Sequence, residues 1–136
     1  MSYMEAITHE DRYYVKRSVI LPMVIAAFER DSRHMEQHLR TPGPYVDAVK
    51  LAISRAWEEH KFVKKHFWDK GLKVYEQTNY EHHIHVKFKC RGYESDMELQ
   101  WAFVTGEASV LMRKYLGLDV SIYESKDGPE NTWEKY

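Results

Sequence analysis

Apolar residues recur every three or four positions up to residue 71 of this chain and every second position after it, a switch that calls for helices first and strands second. On the helical side, Tyr14, Ser18, Leu21, Ile25, Phe28, Ser32, Met35 and Leu39 alternate steps of four and three. That is the stripe of a helix packed lengthwise on another helix. Val19, Ile20, Met23, Val24 and Ala27 widen the stripe, so the middle of the helix is expected to be buried on more than one side. Thr8, with Asp11 three residues on, makes a capping box in which Asp replaces the usual Glu or Gln, and a first helix over 8–39 follows. Pro22 lies inside it. Because the stripe keeps its register across the proline, a kink is expected rather than a new helix.

Thr41-Pro42-Gly43-Pro44 ends that helix, and Pro44 suits the first position of the next. Val46, Val49, Ile53, Ala56, His60, Val63 and Phe67 form a second stripe, and Gly71 after Lys70 is a natural stop, so a helix is predicted over 44–70. Two stripes joined by a short link predict an antiparallel helical hairpin.

Beyond Gly71, Leu72–Thr78 reads as a strand and Asn79–Glu81 as a turn. The next segment alternates cleanly, with Ile84, Val86, Phe88 and Cys90 on one face and His83, His85, Lys87, Lys89 and Arg91 on the other. A loop over 92–96 then leads to a third strand over 97–104, on the alternation of Met97, Leu99, Trp101 and Phe103. A helix over 96–116 is the rival reading of that stretch. A short helix over 106–116 capped by Thr105, a last strand over 119–123 and a polar, loose tail over 124–136 complete the expectation. The fold class is α+β: a long antiparallel helical hairpin packed on a small antiparallel β-meander with a short C-terminal helix, all one domain over 1–123.

Lys and Arg number 20 against 21 Asp and Glu. That balance argues against a chain that coats nucleic acid by bulk charge, though it permits a local basic patch. One cysteine, Cys90, rules out an internal disulfide and suits a reducing compartment. Residues 1–8 include acid and lack the apolar core of a secretory leader. The longest apolar run, Val19–Phe28, is well under the roughly 20 residues a bilayer span needs. A cytoplasmic protein without membrane contact is therefore expected.

Three functional readings arise. The leading one is a small non-enzymatic interaction or regulatory module, binding a protein partner or a second copy of itself. It rests on a second helix longer than a small sheet can cover and on Tyr45, Trp57 and Trp68, which lie off its stripe where an interface uses such rings. The second is a nucleic-acid-binding accessory protein using the cationic strand face of His83, His85, Lys87, Lys89 and Arg91, extended by Tyr75, Gln77 and Gln100. Its bland counterpart is a solvated sheet face paired with Glu98 and other cross-strand acids. The third is a metal-dependent enzyme built on histidine, with His34 and His38 one turn apart on a helix as the best ligand pair; a catalytic zinc needs a third protein ligand and an open position. No cofactor is implied. His60 falls on the buried stripe, where a bond to Tyr14, Ser18 or Ser32 is expected to satisfy it. Glu58, Glu59, Lys64 and Lys65 read as a solvated helix face.

Overall fold

The computed structural model describes residues 7–123, so the expectation of a loose tail over 124–136 lies outside the described residues. Helix α1 spans His9–His38 and α2 spans Pro42–Lys70, packed on each other as the predicted hairpin. Thr8 and Asp11 form the reciprocal capping box at 3.0 Å each way, and α1 passes through Pro22 without a break. The second helix begins at Pro42, two residues earlier than predicted. The first turn of a helix has no use for its backbone N–H groups, so Pro42 and Pro44 both fit there. Gly71 ends α2 with φ +63, in the left-handed region. A Cβ added to it would stand 3.3 Å from Arg91 Cγ, which makes glycine the fitting stop.

Strands β1 (Leu72–Asn79), β2 (His83–Cys90) and β3 (Tyr93–Gln100) form an antiparallel meander with β2 in the centre. The β2 residues Ile84, Val86, Phe88 and Cys90 are each fully buried and join Val15, Val19 and Val24 of α1 and Ala56 and Val63 of α2 in one core. Helix α3 (Trp101–Tyr115) follows β3 directly and adds Val104, Leu111 and Tyr115 to it. The architecture is α+β, as the change of period implies.

Three boundaries differ from expectation. First, residues 93–96 are strand, not loop. Cys90 pairs with Tyr93 across a two-residue turn in which Arg91 (φ +51) and Gly92 (φ +88) are both left-handed, the geometry of a type I′ hairpin. Arg-Gly is a poor signature for that turn, and Arg91 is held in it by bonds from its guanidinium to distant groups. Second, residues 101–104 are helix, not strand. The last pair in the register is His83 with Gln100, and β2 starts at His83, so no strand remains for Trp101–Val104 to pair with. Instead Trp101 donates its backbone N–H to His82 O (3.0 Å) and its indole N–H to Tyr80 O (2.8 Å), which turns the chain into α3. Thr105 is therefore inside the helix rather than its cap. Third, the predicted strand over 119–123 is a 3₁₀ turn over Ser121–Tyr123, set by Asp119 accepting the Ser121 N–H at 2.9 Å.

Candidate functional site

The sheet has two unlike faces, and the outward one carries the predicted cationic row. His83, His85, Lys87 and Lys89 do share it, but β2 is the central strand and acids flank the row. Register sets Glu98, Asp96 and Glu94 of β3 opposite His85, Lys87 and Lys89, and Glu76 of β1 opposite Lys87. The ion pairs are Lys87–Glu76 (3.4 Å), His85–Asp96 (2.6 Å) and His83–Glu98 (3.9 Å). The His85 bond holds the Asp96 carboxyl below its usual range. Tyr75 donates to Glu94 at 2.9 Å, and Lys89 lies over the Tyr75 ring. Gln77 leaves this face for the inner one, because a bulge between Val74 and Glu76 shifts the register of β1. Arg91 leaves it too. From its turn it donates to Asp11 (2.9 Å) and to Lys70 O (2.8 Å).

Asp11, only 1% exposed, is the hub of a junction between α1, α2 and β2. Besides Arg91 and the Thr8 N–H, it faces His66 Nε2 at 3.1 Å and receives the Cys90 thiol at 3.4 Å. The His66 ring stacks on Tyr14. Cysteine, histidine and aspartate together suggest nucleophilic chemistry, but the thiol is fully buried, and burial with the Asp11 charge pushes it up to about 11. It stays protonated and enclosed, which suits a structural staple rather than a nucleophile.

A second polar cluster ties the three helices together. Glu59, read above as solvated, accepts from Arg17 and from the Tyr115 hydroxyl, both at 2.5 Å. Burial, then the Glu59 carboxylate, pushes the Tyr115 phenol far above its ordinary value. Nearby on α3, burial pushes Glu107 up to about 7 despite Arg17 and Lys16. The folded chain thus holds a proton that the unfolded chain releases near pH 4.5, so this carboxyl detracts from stability as pH rises from about 4.5 to 7 and fully above that. Glu107→Gln should raise stability at pH 8 by about 1 kcal/mol, allowing for its partial exposure, and by nothing measurable near pH 4. Urea unfolding at both pH values checks this; equal stability of the two proteins at pH 8 would contradict it.

The third feature is an open cleft of about 360 Å³ between α2 and the edge strand β1. Val19, Val63, Phe67, Leu72 and Val74 line it with Gln77 and Ser18, and it continues along Lys64, Phe67 and Lys73 to Trp68 and Gly71. His60 lines it as well. Its Nδ1 is buried without a partner, since Ser18 donates to Val15 O instead and the Trp57 ring meets the imidazole edge-on. Burial, with Lys64 adding to it, holds His60 below its ordinary value. At 100° per residue, Trp57, Lys61, Lys64 and Trp68 fall within about 60° of arc on α2, one flank beside the cleft. Trp57 is 47% exposed and Trp68 is 87% exposed. Tyr45, also exposed, sits at the far end of α2 about 120° from Trp57, so it is not part of this surface.

His34 and His38 stack on the exposed outside of α1, with His38 Nδ1 3.0 Å from His34 O. Among the described residues no three His, Cys, Asp or Glu side chains gather as metal ligands, there or elsewhere. Among them, too, no helix is long and apolar enough to cross a membrane.

Of these features, the chemistry of the cleft was missed at the level of sequence, because Lys64 was grouped with its charged neighbours. A signal existed: Trp57, Lys61, Lys64 and Trp68 follow at steps of four, three and four along one flank. Asp11 and Glu59 had no such signal, since their partners lie 42 to 80 residues away in sequence.

Fold and site together define a small α+β protein in which a helical hairpin backs a three-stranded meander and leaves a lysine-rimmed cleft at one sheet edge. A family model described as YhjD protein matches residues 6–120, a span that takes in every helix and strand. The chain belongs to the YhjD protein family. No curated protein and no solved structure matches it.

Proposed function

We propose that this chain is a small, non-enzymatic interaction module of the cytoplasm that docks a protein partner along the Trp57–Trp68 flank of α2 and the adjoining cleft. The observation that carries this reading is the exposure of two tryptophans on one helix flank beside an apolar cleft. Tryptophan is the residue whose burial contributes most at interfaces, and a monomer gains little by leaving two in water. The buried, protonated state of Cys90 accords with a reducing compartment. The nucleic-acid reading draws less support, because the cations of the outer sheet face are matched by Glu76, Glu94, Asp96 and Glu98. The metal-enzyme reading has two stacked histidines and no third ligand to draw on.

Position-specific photo-cross-linking in cells tests the proposal. A cross-linker at position 68 should capture one defined protein, and the same group at position 58, on the opposite side of α2, should not. A Trp57→Ser change should reduce capture at 68 at least fivefold, as expected when a hot-spot ring worth about 1 kcal/mol or more is lost. Equal capture from 58 and 68, or none from either, counts against an interface here. Self-association is read in parallel by light scattering: a 16.3 kDa particle excludes a dimer as the form present.

A further inference from the structure

We infer that the cleft between α2 and β1 receives a short, extended, acidic segment of a partner protein, laid as a fourth strand along the free edge of β1. The inference rests on the proposed interaction module and names the chemistry of what that module holds.

Geometry supplies the first argument. Strands lie about 4.8 Å apart, so three of them span about 10 Å between outer axes. Two packed helices, each about 10 Å across, present about 20 Å. The meander therefore cannot cover both. It seats β2 over the core and stops at β1, which leaves the α2 flank bare. One more strand beside β1 would carry the inner face of the sheet, now ending at Leu72, Val74 and Gln77, out over Trp57, Lys64 and Trp68. The edge of β1 offers unpaired backbone groups for that purpose, and the bulge at Tyr75 limits its straight length to a short segment. From Trp57 to Trp68 is about 16 Å along α2, the reach of about five extended residues.

Charge supplies the second. The cleft residues include Lys64 and Lys73 but no Asp or Glu. Elsewhere on the surface lysines meet acids, as in Lys61–Glu58, Lys65–Asp69, Lys87–Glu76 and Lys114–Glu59. Among the described residues, neither Lys64 nor Lys73 has a carboxylate within 4 Å. In a chain of balanced charge, an apolar slot rimmed by two such lysines is complementary to an acidic ligand. A second copy of this chain is the poorer fit, because it would bring its own Lys64 and Lys73 against these two. A small molecule is also disfavoured, since the slot is open along one side and would leave much of such a ligand in water.

The test is an amide-resolved NMR titration of the full chain with three synthetic heptapeptides. The first alternates Glu or Asp with Leu or Phe, the second replaces each acid by Lys, and the third repeats the first with alternate backbone nitrogens methylated so that it cannot pair with an edge. The acidic peptide should shift amides over 72–79 and 57–68, and Lys73→Glu should weaken it about fivefold or more. The basic and methylated peptides should bind at least fivefold more weakly. Binding of the basic peptide as tight as the acidic one, indifference to methylation, or shifts confined to the outer sheet face would overturn the inference. So would a stable dimer in which the cleft is buried. If position 68 still captures a partner while the acidic peptide fails, the module stands and this ligand chemistry falls. If both fail, the module falls with it.

Discussion

Asp11→Asn will lower stability by about 2–3 kcal/mol at pH 7, and the gap to the parent protein will shrink as the pH is brought to 3. The estimate sits just below the range for removing one partner of a buried ion pair, because Arg91 is 37% exposed and can recover some hydration. Asn keeps the shape and can still cap, so what is lost is the charge facing Arg91 and His66. Burial by itself raises the affinity of Asp11 for a proton, but the Thr8 N–H, Arg91 and His66 outweigh it and hold the carboxyl well below its ordinary range. A carboxylate depressed in the fold contributes stability that is present above its unfolded value near 3.9 and is lost as the pH falls through the unfolded value towards the folded one. The parent protein therefore loses this increment below about pH 5, while the Asn variant has none to lose. Urea unfolding at pH 7 and pH 3 measures both numbers. A variant within 0.5 kcal/mol of its parent at pH 7, on the order of a surface change, would reduce Asp11 to an ordinary cap.

Phe88→Ala should be costlier, at about 3–5 kcal/mol, the usual range for emptying a buried aromatic site. Against a total of roughly 5–15 kcal/mol for a domain, that is a third or more of what keeps the chain folded. Phe88 is fully buried on the central strand, between core neighbours on the same face, with the Arg12 guanidinium 5.5 Å from its ring. Nothing nearby is free to collapse into the space, because β2 is paired on both sides and α1 backs it. Lys89→Ala, one residue along on the outer face, is the control and should move stability by no more than about 0.5 kcal/mol. Thermal unfolding of the two variants compares them directly. A loss under 1 kcal/mol for Phe88→Ala would mean that the sheet is not seated on the hairpin through β2.

The two stripes of α1 and α2 were legible because each helix buries one side against its neighbour, and burial on one side of a helix writes a period of three to four into the sequence. Strand β2 was legible for the same reason at a period of two. The passage from β3 to α3 was not. Met97, Leu99, Trp101 and Phe103 suit a strand as well as a helix, and the choice was made elsewhere, by where β2 runs out of residues to pair. The candidate site was legible in part. Trp57 and Trp68 were recognisable as rings off the buried stripe, yet only the placement of β1 beside α2 turned them into the wall of a cleft.

By itself the sequence determined the class of fold, the helical hairpin, the face of β2 that packs inward and the solitary thiol in the core. These follow from periodicity, which records how much of each side chain is hidden and needs no knowledge of what hides it. The tertiary structure alone decided who meets whom: Arg91 turned back to Asp11 rather than lying in the cationic row, Glu59 drawn in by Arg17 and Tyr115, and Lys64 set with Lys73 over an apolar slot. Charged side chains are long and exposed in most contexts, so their partners are chosen by proximity in the fold, which no local pattern encodes.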